Sequence, residues 1–377
     1  MKRKTIIAVV VCALALCGTA LLLLSQHGLD KRDGYYLPPD GAIVTYFPAK
    51  DHSVGRPLVI GAATEAGFIR PFIREFQTQN PKVAVAYIDA TSVAFFQRAG
   101  AACRNGERTA DIYLTSSTDD LVRLANDGCA MKLPRAVAEA APAGAQWRHE
   151  VAAFTVEPAV FVYGQRFLST QTVPQSHIQL VDWLRDRQDI HGRVGTYDIE
   201  TSADGYNFAA SDSHQTALYG RLIEGMGRGG VRTFCCSNVM VDTVDRGDIV
   251  FAYNVQMSYA YAAQRAGSRI GVVLPSDYQA IQTRSIMLPR GGRDQKTAIA
   301  FAKFLTSAEG RVVARGQLMN PHLPASTASV MADKLLGQAS VTPLLLSLRD
   351  QARHSRMVQE WRQAISPTDG LPQGLEK

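Results

Sequence analysis

Three short runs in this chain concentrate hydroxyls, acidic residues and glycine where a strand gives way to a helix. They are "ATEAG" with Thr64 and Glu65, "LTSSTDD" with Ser116 and Ser117, and "ETSADGYN" with Thr201, Ser202, Gly205 and Tyr206. A helix start leaves about four amides without intrahelical partners and carries roughly half a positive charge. Hydroxyls add donors with little bulk, and glycine lets a ligand approach the backbone. Such places suit carboxylates and phosphates. Each residue type is equally the ordinary equipment of an N-cap, and one run alone is more often a cap than a ligand contact. Three of them at strand ends in one chain point to ligand binding. Asp198, ahead of the third run, either faces the ligand or orients the loop.

A fourth run, "FAYNVQMSYAYAAQRAG", sets Asn254, Ser258 and Tyr259 after a strand, on an aromatic-rich helix start. Packing is the commonest fate of its tyrosines, so Asn254 and Ser258 have the better claim. Further on, "PSDYQAIQTRS" offers Asp277 and Arg284. That guanidinium either clamps an anionic ligand bidentately or forms a plain ion pair with Asp277. His214 reads as a solvated or capping residue inside a helix. No nucleophile–base pair, metal cluster or phosphate-loop motif is legible, so the sequence calls for no cofactor and no catalytic or metal residue.

The elements that must position these residues alternate. "PLVIG" is a continuous apolar run, the mark of a strand buried on both faces. Phe68, Phe72 and Phe76, with Ile69 and Ile73, follow at helical spacing until Asn80-Pro81 stops the helix. "KVAVAYIDA", "TSVAFFQRAGAAC", "ADIYLTSS" and "TDDLVRLANDG" continue the strand–helix alternation, which is α/β architecture with parallel strands. "PAVFVYG" is a strand that carries the chain into a second lobe. There "GRVGTYDI" and "DIVFAYNV" are strands, and "RIGVVLPSDY" and "RSIMLP" are expected to return to the first lobe. At 377 residues the chain exceeds one average core. The expected division is 57–157 with 265–377, including the C-terminal helices, as lobe 1, and 158–264 as lobe 2.

The formal charge is +6, of which Lys2, Arg3 and Lys4 supply three, leaving +3 for everything else. That is too weak and dispersed for nucleic acid. The three charges precede Thr5–Leu24, 20 residues without a charge. Residues 1–24 are therefore an export signal, either a long cleaved peptide or an uncleaved inner-membrane anchor, with 25–56 as a linker. Either places the globular part in an oxidising compartment, the periplasm. There Cys103 and Cys129 are expected to form a structural disulfide, whereas Cys235 and Cys236 bond each other, stay free or pair elsewhere.

In order along the chain, "ADIYLTSSTDDLVRLANDG", "GTYDIETSADGYNFAASD", "GDIVFAYNVQMSYAYAAQRAGSRIGVVLPSDY" and "FAKFLTSAEG" resemble the type 2 periplasmic solute-binding proteins of ABC transporters. The nearer resemblance is to the branch with ferric-iron, hexose-phosphate and phosphoglycerate-regulatory binding proteins. It implies two α/β lobes with a ligand cleft between them, closure on capture, a monomer, and delivery to an ABC permease or report to a membrane histidine kinase. Iron-binding members use two adjacent tyrosines, and "SYAY" separates them here, so ferric iron is the alternative and a small carboxylate or phosphorylated anion the expectation. Some proteins of this fold are enzymes with a cleft cysteine. Cys235 and Cys236 are the candidates for that role, but no activating base accompanies them.

Overall fold

The computed structural model describes residues 42–365 apart from 143, 216–217, 318, 320–340, 342–343 and 349. The N-terminal signal or anchor expected over 1–24 lies outside the described residues.

The first half of the chain builds one sheet. Its elements are β1 (Ile43–Phe47), β2 (Leu58–Ala62), α1 (Ala66–Gln79), β3 (Val85–Asp89), α2 (Ser92–Asn105), β4 (Ile112–Thr115), α3 (Thr118–Asn126), α4 (Arg135–Glu139), β5 (Gln146–Trp147) and β6 (Val151–Ala153). All five residues of β2 are buried, which is why its sequence is apolar throughout rather than alternating. Ile69, Phe72, Ile73 and Phe76 of α1 bury the stripe their spacing predicts against β2 and β3. Residues 43–47, expected to be linker, form an edge strand instead: β1 pairs antiparallel with β3.

β7 (Glu157–Gly164), buried along its length, opens the second sheet. After it come α5 (His177–Asp186), β8 (Val194–Tyr197), α6 (Ala203–Gln215), α7 (Tyr219–Arg228), β9 (Arg232–Phe234), α8 (Ser237–Arg246), β10 (Phe251–Gln256), α9 (Met257–Arg265), β11 (Ile270–Val273), β12 (Ile281–Gln282) and β13 (Ser285–Met287). The chain closes with α10 (Gln295–Thr306), α11 (Ala308–Gly316), α12 (Leu344–Leu348) and α13 (Gln351–Ile365). Strand order is β1-β3-β2-β4-β13-β6-β5 in one sheet and β11-β7-β10-β8-β9 in the other, with β12 on β7. Two lobes of α/β structure result. The expectation that "RIGVVLP" returns to the first sheet is corrected, since β11 pairs with β7 along Ile270–Val273. β13 does lie between β4 and β6.

The last helix also departs from its expected lobe. Trp361 and Ile365 of α13 enter the second lobe's core beside Leu222, Ile223 and Met226 of α7. Contact is closest at Gly227, where an added Cβ would lie 1.7 Å from the Ala364 carbonyl oxygen. A Gly227→Ala change should therefore lift α13 off α7 and cost about 2 kcal/mol, as overpacking against a rigid backbone does. Limited proteolysis within α13, alongside a urea melt, checks it.

Cys103 and Cys129 are bonded, joining the end of α2 to the segment after α3, as the sequence reading expects. Cys235 and Cys236 are bonded to each other.

Candidate functional site

The residues that follow β2, β4 and β8, and the end of β10, meet directly between the lobes. At the centre is Asp204, in the first turn of α6. Ser116 Oγ donates to its two oxygens at 3.0 and 2.9 Å, and Ser117 Oγ donates at 3.1 Å. Gln282 Nε2 donates at 2.6 Å and Gln256 Nε2 at 3.2 Å. Ser116 and Ser117, foreseen as an anion cradle at the start of α3, thus hold a carboxylate. It is the protein's own, reached across the cleft. Burial pushes the Asp204 carboxyl up to about 6 despite the donors of Ser116, Ser117 and Gln282. Two further bonds cross beside it: Asn207 Nδ2 to Asp119 Oδ1 at 2.7 Å, and Ala203 N to Ser92 Oγ at 3.1 Å.

A second cluster surrounds Arg284. Its guanidinium, 1% exposed, pairs with Glu157, also 1% exposed, and reaches Gln256 Oε1 at 3.1 Å and Ser258 Oγ at 3.5 Å. The other oxygen of Glu157 accepts from the Ser258 amide at 2.9 Å. Burial lowers Arg284 to about 10. Of the two partners foreseen for Arg284, Asp277 is ruled out, because that carboxylate bonds His177 through its ring Nδ1 (2.8 Å) and its amide (2.9 Å).

The third cluster sits where α1 begins. Tyr259 donates its hydroxyl to Glu65 and packs its ring, tilted by 40°, against Phe68 at 4.0 Å between centroids. Asp89, at the end of β3, is raised to about 7 by burial and by the neighbouring Glu65. Thr64 Oγ1 and Arg284 Nε are buried and have no hydrogen-bond partner. Buried polar groups are almost always bonded, so these two are candidates for ligand contact.

The remaining sequence candidates serve the interior of the second lobe. Ser202 is a helix cap, its Oγ accepting from the Gly205 amide at 3.2 Å. At Gly205 an added Cβ would stand 2.4 Å from Tyr197 Cβ, so packing inside the lobe already requires a glycine there. Tyr206 is buried and packs against His354 of α13 at 4.5 Å. Asn254 bonds buried Asp212 at 2.7 Å and sits at φ +59 in an irregularity of β10. Asp198 orients its own loop, accepting from the Glu200 amide and the Thr201 hydroxyl, each at 2.9 Å. His214 is exposed. Sequence reasoning missed Asp204, Glu157, Asp89, Gln256 and Gln282.

Among the described residues, Glu65, Asp89, Asp204 and Glu157 surround the Arg284 guanidinium, which pairs with Glu157 and is also drawn to Glu65. The balance is negative, opposite to what a cradle for an external anion needs. Among the described residues no group of three or more His, Cys, Asp or Glu side chains is placed to hold a metal ion.

The sequence model of a family described as bacterial extracellular solute-binding protein matches residues 58–317. The fold resembles the substrate-binding protein of an ABC transporter from Agrobacterium tumefaciens, with 31% identity, a TM-score of 0.79, and coverage of 87% of this chain and 99% of that one. More distant likenesses are iron-bound HitA from Pseudomonas aeruginosa (18% identity, TM-score 0.61, 78% of this chain and 98% of that one) and AfuA from Actinobacillus pleuropneumoniae with fructose-6-phosphate bound (15%, 0.63, 82% and 98%). No curated protein sequence matches the chain.

Proposed function

The chain belongs to the bacterial extracellular solute-binding proteins, which deliver ligands to ABC permeases, and on that premise we propose that its cleft captures a small solute bearing a cationic nitrogen. The observation that carries this is the surplus of carboxylates. Among the described residues, Glu65, Asp89, Asp204 and Glu157 outnumber the guanidinium beside them, since Arg284 pairs with Glu157 and is also drawn to Glu65. A protonated amine entering beside Glu65 and Asp89 relieves their mutual repulsion, whereas a carboxylate or phosphate adds to it. Phe68 and Tyr259 supply the aromatic wall on which a cation or its alkyl chain can rest. The unpartnered Thr64 hydroxyl can bond a second polar group of the solute. The anion expected from the helix starts is disfavoured for the same reason, because Asp204 occupies the cradle that would receive it.

Thermal-shift screening of the chain against primary amines, guanidines and quaternary ammonium ions, with dicarboxylates, phosphate esters and ferric citrate as the opposing panel, tests the reading. At 100 times its dissociation constant a ligand stabilises the fold by about 2.7 kcal/mol. Stabilisation by a member of the first panel is expected, and Glu65→Gln should weaken it about tenfold, the effect of 1.4 kcal/mol of lost charge interaction. Stabilisation by the second panel alone would refute the cationic ligand.

A further inference from the structure

Cys235 and Cys236 stand where β9 runs into α8, at the same end of the second sheet as Tyr197 and Gln256. Cys235 is exposed and Cys236 half-buried, so a thiol can reach the bond between them. Cys236 is the N-cap of α8. A helix start is electropositive and stabilises a thiolate placed on it, which favours the sulfur as leaving group. The next residue, Ser237, is buried. Its Oγ hydrogen-bonds the Tyr197 hydroxyl at 2.6 Å and accepts from the Gln256 amide at 2.9 Å. Gln256 in turn bonds Asp204, Gln282 and Arg284 through its side chain. One residue therefore separates an accessible disulfide from the hydrogen bonds that organise the cleft.

A fold resists reduction of a disulfide only as far as the bond stabilises the fold. Cys103–Cys129 joins residues 26 apart and so removes loop-closure entropy from the unfolded chain. A bond between neighbours closes no such loop, and nothing of that kind protects it.

We propose that Cys235–Cys236 is a reversible redox-modification site, opened by a dithiol reductant, whose state controls the order of Ser237 and Gln256 at the cleft. In the forward step a thiolate of the dithiol attacks Sγ of exposed Cys235, and Cys236 leaves as a thiolate. The second thiol of the reductant then attacks the mixed disulfide and releases Cys235. Two electrons and two protons pass to the cysteine pair, and the dithiol becomes a disulfide. Opening the pair removes the covalent link that fixes the peptide between Cys235 and Cys236, and with it the placement of Ser237.

The proposal concerns the cleft but does not depend on the cationic ligand, because its readouts need no ligand. The full chain is equilibrated in buffers of stepped reduced-to-oxidised dithiothreitol ratio, alkylated, and mapped by peptide mass spectrometry. Cys235 and Cys236 should become alkylated at a ratio at least about tenfold more oxidising than Cys103 and Cys129 require. In the selectively reduced protein the Gln256 amide, which now donates to Ser237 Oγ, should exchange with deuterium at least about tenfold faster. The double variant Cys235→Ser, Cys236→Ser should show the same faster exchange. Opening of both disulfides at one ratio, or an unchanged Gln256 amide in the reduced protein, would overturn the proposal. The reduced natural chain decides the question if the variant does not fold.

Discussion

Replacing Arg284 by methionine should destabilise the protein by about 3–5 kcal/mol, the range for removing one partner of a buried ion pair. Arg284 and Glu157 are each 1% exposed, so the carboxylate left behind has no water to turn to. The methionine keeps most of the apolar stem, which limits the packing loss, but Gln256 Oε1 also loses its donor. The single change therefore strands the Glu157 carboxylate and the Gln256 side-chain oxygen, and Ser258 Oγ loses a donor as well. A second change, Glu157→Gln, should recover much of the loss. A neutral amide needs no counter-charge and can still accept from the Ser258 amide. Urea unfolding of the single variants and the double variant measures the coupling. Equal and additive losses would mean that the pair is not what holds this junction. The site lies where β7 begins and β12 leads into β13, the crossing between the two sheets, so the same variants should loosen the lobes relative to one another.

How much of this was readable in advance follows from the range of each interaction. β2, β3 and β4 and the helices between them were legible because burial on both faces writes itself into local composition, as "LVIGA" does. Ser116 and Ser117 are legible as donors because hydroxyls recur at three strand ends of one chain, although each alone could be an ordinary cap. Their acceptor is not. Asp204 lies 88 residues from Ser116, and it resembles any acidic residue in a helix's first turn until the fold brings the two together. Glu157 is separated from Arg284 by 127 residues, and in sequence it is one acid ahead of an apolar strand. β11 was placed in the wrong sheet for a related reason, since an apolar run such as "IGVV" fits either sheet and pairing is not part of its pattern. For Tyr206 and Asn254, polarity near a strand end does not say which way the side chain turns. Both turn inward, toward α13 and Asp212.

Asp204→Asn should remove a pH dependence of stability that the natural chain carries, and its sign is opposite to that of ordinary acid denaturation. Burial raises the Asp204 carboxyl from 3.8 to about 6 in the folded protein. Below the unfolded value both states hold the proton, and the contribution of the group is fully present. Between the two values the folded state keeps a proton that the unfolded chain has released, so stability falls as pH rises and is lost once the folded carboxyl ionises. The shift corresponds to about 3 kcal/mol between pH 4 and 7, as one unit is worth 1.36 kcal/mol. The difference in unfolding free energy between the natural chain and Asp204→Asn should therefore decline over that interval. A flat or rising difference would show that the carboxylate is not buried in the folded protein. Asp89, raised from 3.8 to about 7, adds to the natural chain's trend in the same direction across the same interval and carries it up to about pH 7. Ligand capture should run the other way. Protonation of Asp89 and Asp204 removes the charges that attract an amine, so affinity for a cationic solute should weaken as pH falls through 7 toward 5, while the unliganded protein becomes more stable. An anionic solute would instead bind more tightly over the same range, and the two titrations together separate a folding effect from a recognition effect.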